Sequence, residues 1–278
     1  MIFKLNLYSK ELLLFGLTLL VGIFSAYNNS ASSIDKSVIQ PVSFSWDSIV
    51  IVLAFFSIFT LIALKFKRLG AISFRFFLLL VVFSGTQIIT GTVLPSPWDL
   101  GLALVVAAIF MTVHNVLVHD ISIMLGIAGV SSILGITISP FIAVILLVIL
   151  SFYDILAVYW TKHMVYLARG MIESGAIFGF IIPFEWKDMF YHKIEARQKI
   201  GEKFMILGSG DIGLPLVLAS SIAVVSVGQA LVTALFSLAG LFLTHIIFIN
   251  QEGRKPMAAL PPIATLTIIG YLVASLIF

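Results

Sequence analysis

Residues 207–213, Leu207-Gly208-Ser209-Gly210-Asp211-Ile212-Gly213, open a long apolar run with a carboxylate set between glycines. Around it the chain is as apolar as the run itself. Of its 278 residues 60% are hydrophobic and only 10% charged, and the mean hydropathy is +1.16. A soluble domain of this size carries about a quarter charged residues. Water therefore cannot be the solvent for most of this surface, and the chain reads as an all-α, multi-pass integral membrane protein. In that setting Asp211 needs a reason, because a charged side chain at membrane depth costs at least about 2.5–3.5 kcal/mol on insertion scales.

Outward from Asp211, nine apolar segments can be read, each near the roughly 20 residues that a helix needs to cross a bilayer. They cover 11–26, 47–64, 72–93, 98–118, 121–137, 139–161, 205–227, 229–249 and 257–278. The runs exceed the length of membrane strands and lack alternation, so they predict helices. Ser139-Pro140 is a helix-start signal for the sixth. The first segment has the basic flank and short apolar core of a signal peptide as well. The charge pattern works with that segment retained. Placing Lys and Arg on alternate sides of nine spans puts fifteen of the sixteen on one face, with only Lys36 opposite. The positive-inside rule then sets the N-terminus in the cytoplasm and the C-terminus outside. The chain forms one membrane-embedded domain over 1–278: spans one to six in 1–161, a cytoplasmic or interfacial loop at 162–204, and spans seven to nine in 205–278.

Two acidic residues stand apart from loops and span ends. Asp154 lies in "LSFYDILAVYW" of span six and Asp211 in "ILGSGDIGLPL" of span seven. Each is eight residues from the nearest basic flank, Lys162 and Lys203. On a helix that is about 12 Å. Sequence-adjacent antiparallel helices usually pack together, so the two carboxylates can meet at equal depth. Close carboxylates in a low-dielectric site share one proton. One can then take a proton from water while the other polarises an amide carbonyl. Gly208 and Gly210 clear side chains from around Asp211 and weaken the helix before it. Tyr153 could add a ring and a hydroxyl beside Asp154. The pair alone fits aspartyl proteolysis and a proton-coupled transporter about equally, since membrane carboxylates mark ion paths too. A packing device is a third reading.

Tyr153-Asp154 in span six, Gly208-Ser209-Gly210-Asp211 in span seven and "KPMAALPPI" at the head of span nine together resemble the signature of the presenilin and signal peptide peptidase family, the GxGD intramembrane aspartyl proteases. The resemblance covers nearly the whole chain and suggests a microbial relative. It implies a presenilin-like fold, Asp154 and Asp211 as the catalytic pair, and substrate contact by Ala259, Leu260 and Pro261, which fall on the Pro-Ala-Leu element. Ala258 stands where the family pattern has its first proline. Transmembrane helices or signal peptides would be the substrates, with water as co-reactant and no metal or other cofactor. An unwound substrate could pair with backbone near the site. A prepilin-type peptidase also carries GxGD, but the Pro-Ala-Leu-like element argues against it.

Several features carry less. "GMIESGAIFGFIIPF", 170–184, is apolar but too short to span comfortably and reads as an interfacial or partly inserted segment that gates substrate, with a short structural helix as the alternative and Gly175 and Gly179 suited to close helix contact. Residues 185–203 are charged and belong in the cytoplasm. His114, His119 and Asp120 sit at the inner end of span four as boundary residues, because histidines five apart do not share a helix face. The glycines of "GIAGVSSILG" serve helix packing rather than nucleotide binding. The chain has no cysteine. Its basic residues lie between spans, where they report topology rather than nucleic-acid affinity. The partners implied are transmembrane peptides and lipid, with no obligate partner subunit evident and a cell membrane as the location in a microbe.

Overall fold

The computed structural model describes residues 5–32, 67–251 and 256–278. Ten helices and a small sheet follow one another along them: α1 (Leu5–Ser32), α2 (Lys67–Gly91), α3 (Trp98–Thr112), α4 (Val116–Thr137), α5 (Pro140–Ile155), α6 (His163–Ser174), β1 (Gly179–Pro183), α7 (Lys193–Gln198), β2 (Phe204–Gly208), α8 (Ser209–Ala223), α9 (Val227–Ile249) and α10 (Leu260–Ile277). Six helices among the described residues are long and apolar enough to cross a membrane, and α3 and α8 are shorter apolar helices. The segment expected to cross at 47–64 lies outside the described residues.

The centre of the bundle is α8. It packs against α1, α4, α5, α9 and α10, and most of its side chains are buried. Small residues let its neighbours come close. A Cβ on Gly85 of α2 or on Gly129 of α4 would run into the other helix's backbone, so these two helices cross in main-chain contact. Lipid tails are as apolar as leucine, so close packing and hydrogen bonds hold membrane helices together. Ser25 of α1 and Ser132 of α4 bond through their hydroxyls at 3.1 Å. The glycines of 126–135 thus serve packing, as expected.

The structure corrects the sequence reading in three places. Span seven does not run as a helix from 205: residues 204–208 are strand β2, and the helix begins only at Ser209. The helical depth for Asp211 therefore does not hold. The 170–184 segment is not one helix. Helix α6 ends at Gly175, which takes a left-handed φ of 77°, a conformation glycine adopts without steric cost. Strand β1 then pairs antiparallel with β2, Gly179 opposite Gly208. A Cβ on Gly179 would collide with the Leu207 carbonyl, so this glycine serves strand pairing and not a helix contact. Finally, the apolar run 98–118 breaks at 113–115. Asn115 caps α4, its side chain accepting from Val118 N–H at 2.8 Å. His119 and Asp120 are consequently buried in the opening turns of α4, not at the end of the preceding span.

Candidate active site

Asp211 occupies the first turn of α8, and Gly208 is the residue that caps that helix. The carboxylate turns back toward the backbone N–H of Gly208, the half of a capping box in which the third helical residue reaches the cap. Four residues on, Pro215 supplies no N–H to the Asp211 carbonyl, which loosens the first turn. Because β2 ends at Gly208 and α8 begins at Ser209, Asp211 is presented at a strand-to-helix junction.

Asp154 is the second-last residue of α5 and is almost fully buried. After Ile155 the chain continues as a π-turn, Leu156–Trp160, in which Thr161 N–H reaches the Leu156 carbonyl at 2.9 Å. Such widened turns recur at functional sites. The Asp154 Oδ2 accepts from the backbone N–H of Leu260 at 3.3 Å. Leu260 opens α10 and is followed by Pro261 and Pro262, which have no N–H of their own. Of the three residues that start this helix, only Leu260 has a donor, and it goes to Asp154.

Asp211 thus sits in the first turn of α8, and Asp154, from the end of α5, faces the first N–H of α10; at such helix starts the unsatisfied N–H groups and the macrodipole favour negative charge by typically about 0.3–1 kcal/mol. This arrangement answers the question posed by a carboxylate inside an apolar run: the fold gives each a backbone donor, Leu260 N–H for Asp154 and Gly208 N–H for Asp211.

Asp154 and Asp211 line one cavity of about 410 Å³. Its walls include the whole of β2, a face of α6, and Gly208, Pro256, Met257 and Ala259. Leu260 is buried beside it and reaches it through its N–H. Three residues singled out in the sequence are not among the walls. Tyr153 is half exposed, Gly210 is exposed with open space about it, and Pro261 lies past the helix start. Ala258, in place of proline, is buried, and the turn that follows still delivers Leu260 to Asp154.

Two cavity residues were not anticipated. Glu11 of α1 and His245 of α9 are fully buried, with His245 Nδ1 2.9 Å from both Glu11 oxygens. They join two helices across the cavity wall. Their signals were a glutamate at the head of the first apolar run and a histidine inside the eighth, and neither reveals its partner 234 positions away. Lys10 is likewise inside: its Nζ donates to the Pro183 carbonyl at 2.8 Å and ties the end of β1 to α1.

A bundle of long apolar helices with two carboxylates on one cavity has the layout of the intramembrane aspartyl proteases. The family model described as signal-peptide peptidase, presenilin aspartyl protease matches residues 13–278, so the chain belongs to that family and is an aspartic endopeptidase, a hydrolase of the membrane. Two solved structures of a presenilin-family intramembrane aspartate protease, in space groups C222 and P2, are similar to it. Each is 26% identical and covers 96% of both chains, with TM-scores of 0.61 and 0.62. No curated protein matches.

Proposed function

We propose that Asp154 and Asp211 are the catalytic dyad and that the chain cuts transmembrane helices or signal peptides. The observation that carries this is the pair's position: two carboxylates on one cavity, Asp211 in the first turn of α8 and Asp154 bonded to the first N–H of α10. One ionised and one protonated carboxyl can activate water and polarise the scissile carbonyl. The proton then passes to the leaving nitrogen. Helix-end donors stabilise whichever partner is charged without quenching either with a fixed cation.

Substrate entering such a site has to unwind, because a helical peptide bond is shielded by its own turns. The freed backbone groups then need partners. Strand β2 pairs with β1 along one edge, and all five of its residues line the cavity. An unwound substrate adds to the β2 edge as a further strand and is thereby led past Gly208 toward the aspartates. Ala259 and Leu260 bound the same space. In this reading the chain is one membrane domain with nine spans. The N-terminus is cytoplasmic and the C-terminus outside, in the cell membrane of a microbe, and it works without partner subunits.

Purified protein incubated in detergent with a single-span substrate, read by mass spectrometry, tests the reading. The expected result is a discrete cut inside the span that Asp154→Asn or Asp211→Asn eliminates. Undiminished cleavage in either variant would overturn it.

A further inference from the structure

A second cavity, of about 650 Å³, lies between α2, the end of α3 and α7. Three cationic side chains line it: Arg75, Lys193 and Arg197. Among the described residues none of the three has a carboxylate within ion-pair distance. Asp120 opposes the charge of Lys193 from further off, and its Oδ1 is engaged by Ile181 N–H at 2.8 Å. His119 adds no donor, since its Nε2 faces the Gly179 carbonyl at 3.1 Å. Among the described residues, the cavity therefore carries positive charge that no carboxylate pairs.

Helix capping explains part of this cluster. Arg75 Nε donates to the Ser174 carbonyl at 2.7 Å and Arg197 Nη2 to the Glu173 carbonyl at 2.8 Å, both at the C-terminus of α6, where cations are favoured. Each guanidinium has five N–H donors. The Nε of Arg197 is buried with no partner among the described residues. Lys193 caps nothing. Its Nζ lies over the Phe110 ring, 5.2 Å from the centroid.

The rest of the wall is apolar and continues onto the outer face of the bundle. Ile72 and Phe76 of α2 and Met111 of α3 line the cavity and are each more than half exposed. A cationic recess at the end of a membrane bundle, open along an apolar face, has the two chemistries of a phospholipid. Basic pockets between membrane helices bind anionic headgroups in this way. We propose that this cavity binds an anionic phospholipid, its phosphate between Arg75, Lys193 and Arg197 and its acyl chains along Ile72, Phe76 and Met111. The occupant is a lipid rather than free phosphate because the apolar wall would otherwise be idle. The bound phosphate also supports the C-terminus of α6, the helix whose other face walls the cavity of the aspartates.

The test is native mass spectrometry of the full chain in detergent, titrated with phosphatidylglycerol or phosphatidylcholine. Phosphatidylglycerol should give a saturable single adduct that phosphatidylcholine does not, and millimolar inorganic phosphate should fail to displace it. Lys193→Gln, which leaves both helix-capping bonds intact, should weaken the adduct about five-fold, the effect of one surface cation. Lys193→Arg should keep it. Equal binding of the two lipids, an adduct unaffected by Lys193→Gln or lost in Lys193→Arg, or full displacement by phosphate would each overturn the proposal.

Discussion

Replacing either aspartate with asparagine should separate catalysis from stability, and the structure sets the size of both effects. In Asp154→Asn the amide oxygen can still accept from Leu260 N–H, so the bond survives as a neutral one. Hydrogen bonds to charged groups contribute about 1.5–3 kcal/mol against 0.5–1.5 for neutral ones, so the variant loses about 1–1.5 kcal/mol. At Asp211 the loss is the helix-terminus term, again about 0.3–1 kcal/mol. In a chain of this size about 1 kcal/mol moves the melting midpoint by roughly 2–4 °C. Catalysis fares otherwise. An amide cannot exchange the proton that the pair must hand between water and leaving nitrogen, so each single variant should lose at least about 10³–10⁴ in rate. Because the two act as a unit, the double variant should be no slower than either single one. The assay is cleavage of a single-span peptide by mass spectrometry beside a thermal-shift scan. Additive losses, or a single variant with more than a few per cent of wild-type rate, would refute the dyad. A fall of ten degrees or more would show instead that the helix-end bonds hold the fold.

Gly179→Val puts a Cβ against the Leu207 carbonyl. Overpacking of this kind costs about 1–3 kcal/mol. It also shifts β2 beside Asp211, so cleavage should drop about a hundred-fold, as for a ~1 Å misplacement; wild-type activity would show that the sheet does not set the site. Glu11→Ala removes the carboxylate that meets His245 Nδ1 inside the bundle, and a hydrogen bond to a charged group contributes about 1.5–3 kcal/mol. Thermal shift should therefore report a large loss, and an unchanged midpoint would refute the pairing. Burial, then Arg197 and Arg75, push the Lys193 ammonium down to about 8 from 10.5, with Asp120 opposing. Between those values the unfolded chain holds more protons than the folded one, so stability gains with rising pH across that window. In thermal-shift scans from pH 7 to 10, Lys193→Gln should flatten that rise relative to wild type; parallel curves would refute it.

How much of this was readable beforehand depends on whether the cause was local. The membrane class follows from composition, and most spans from the length of their apolar runs, since the bilayer's thickness acts on each segment separately. Asp154 and Asp211 stood out because an acid in an apolar run is costly whatever lies nearby. Even the break in 98–118 had a local sign in His114-Asn115, Asn being a good helix cap.

Only the tertiary structure decided the rest. Residues 204–208 are apolar enough to continue a helix, but they form a strand because β1 offers them a backbone ladder from 25 positions earlier. Glu11 and Lys10 read as the edge of a span, but α9 and the end of β1 bring them partners that allow both to be fully buried. The Pro-Pro start of α10 is visible in the chain, yet its consequence, one spare N–H aimed at Asp154, depends on helices 106 positions apart meeting there. Hydropathy reports which solvent a segment prefers. It carries no information on which distant backbone will satisfy its polar groups, and in a membrane that choice determines where a charge can sit.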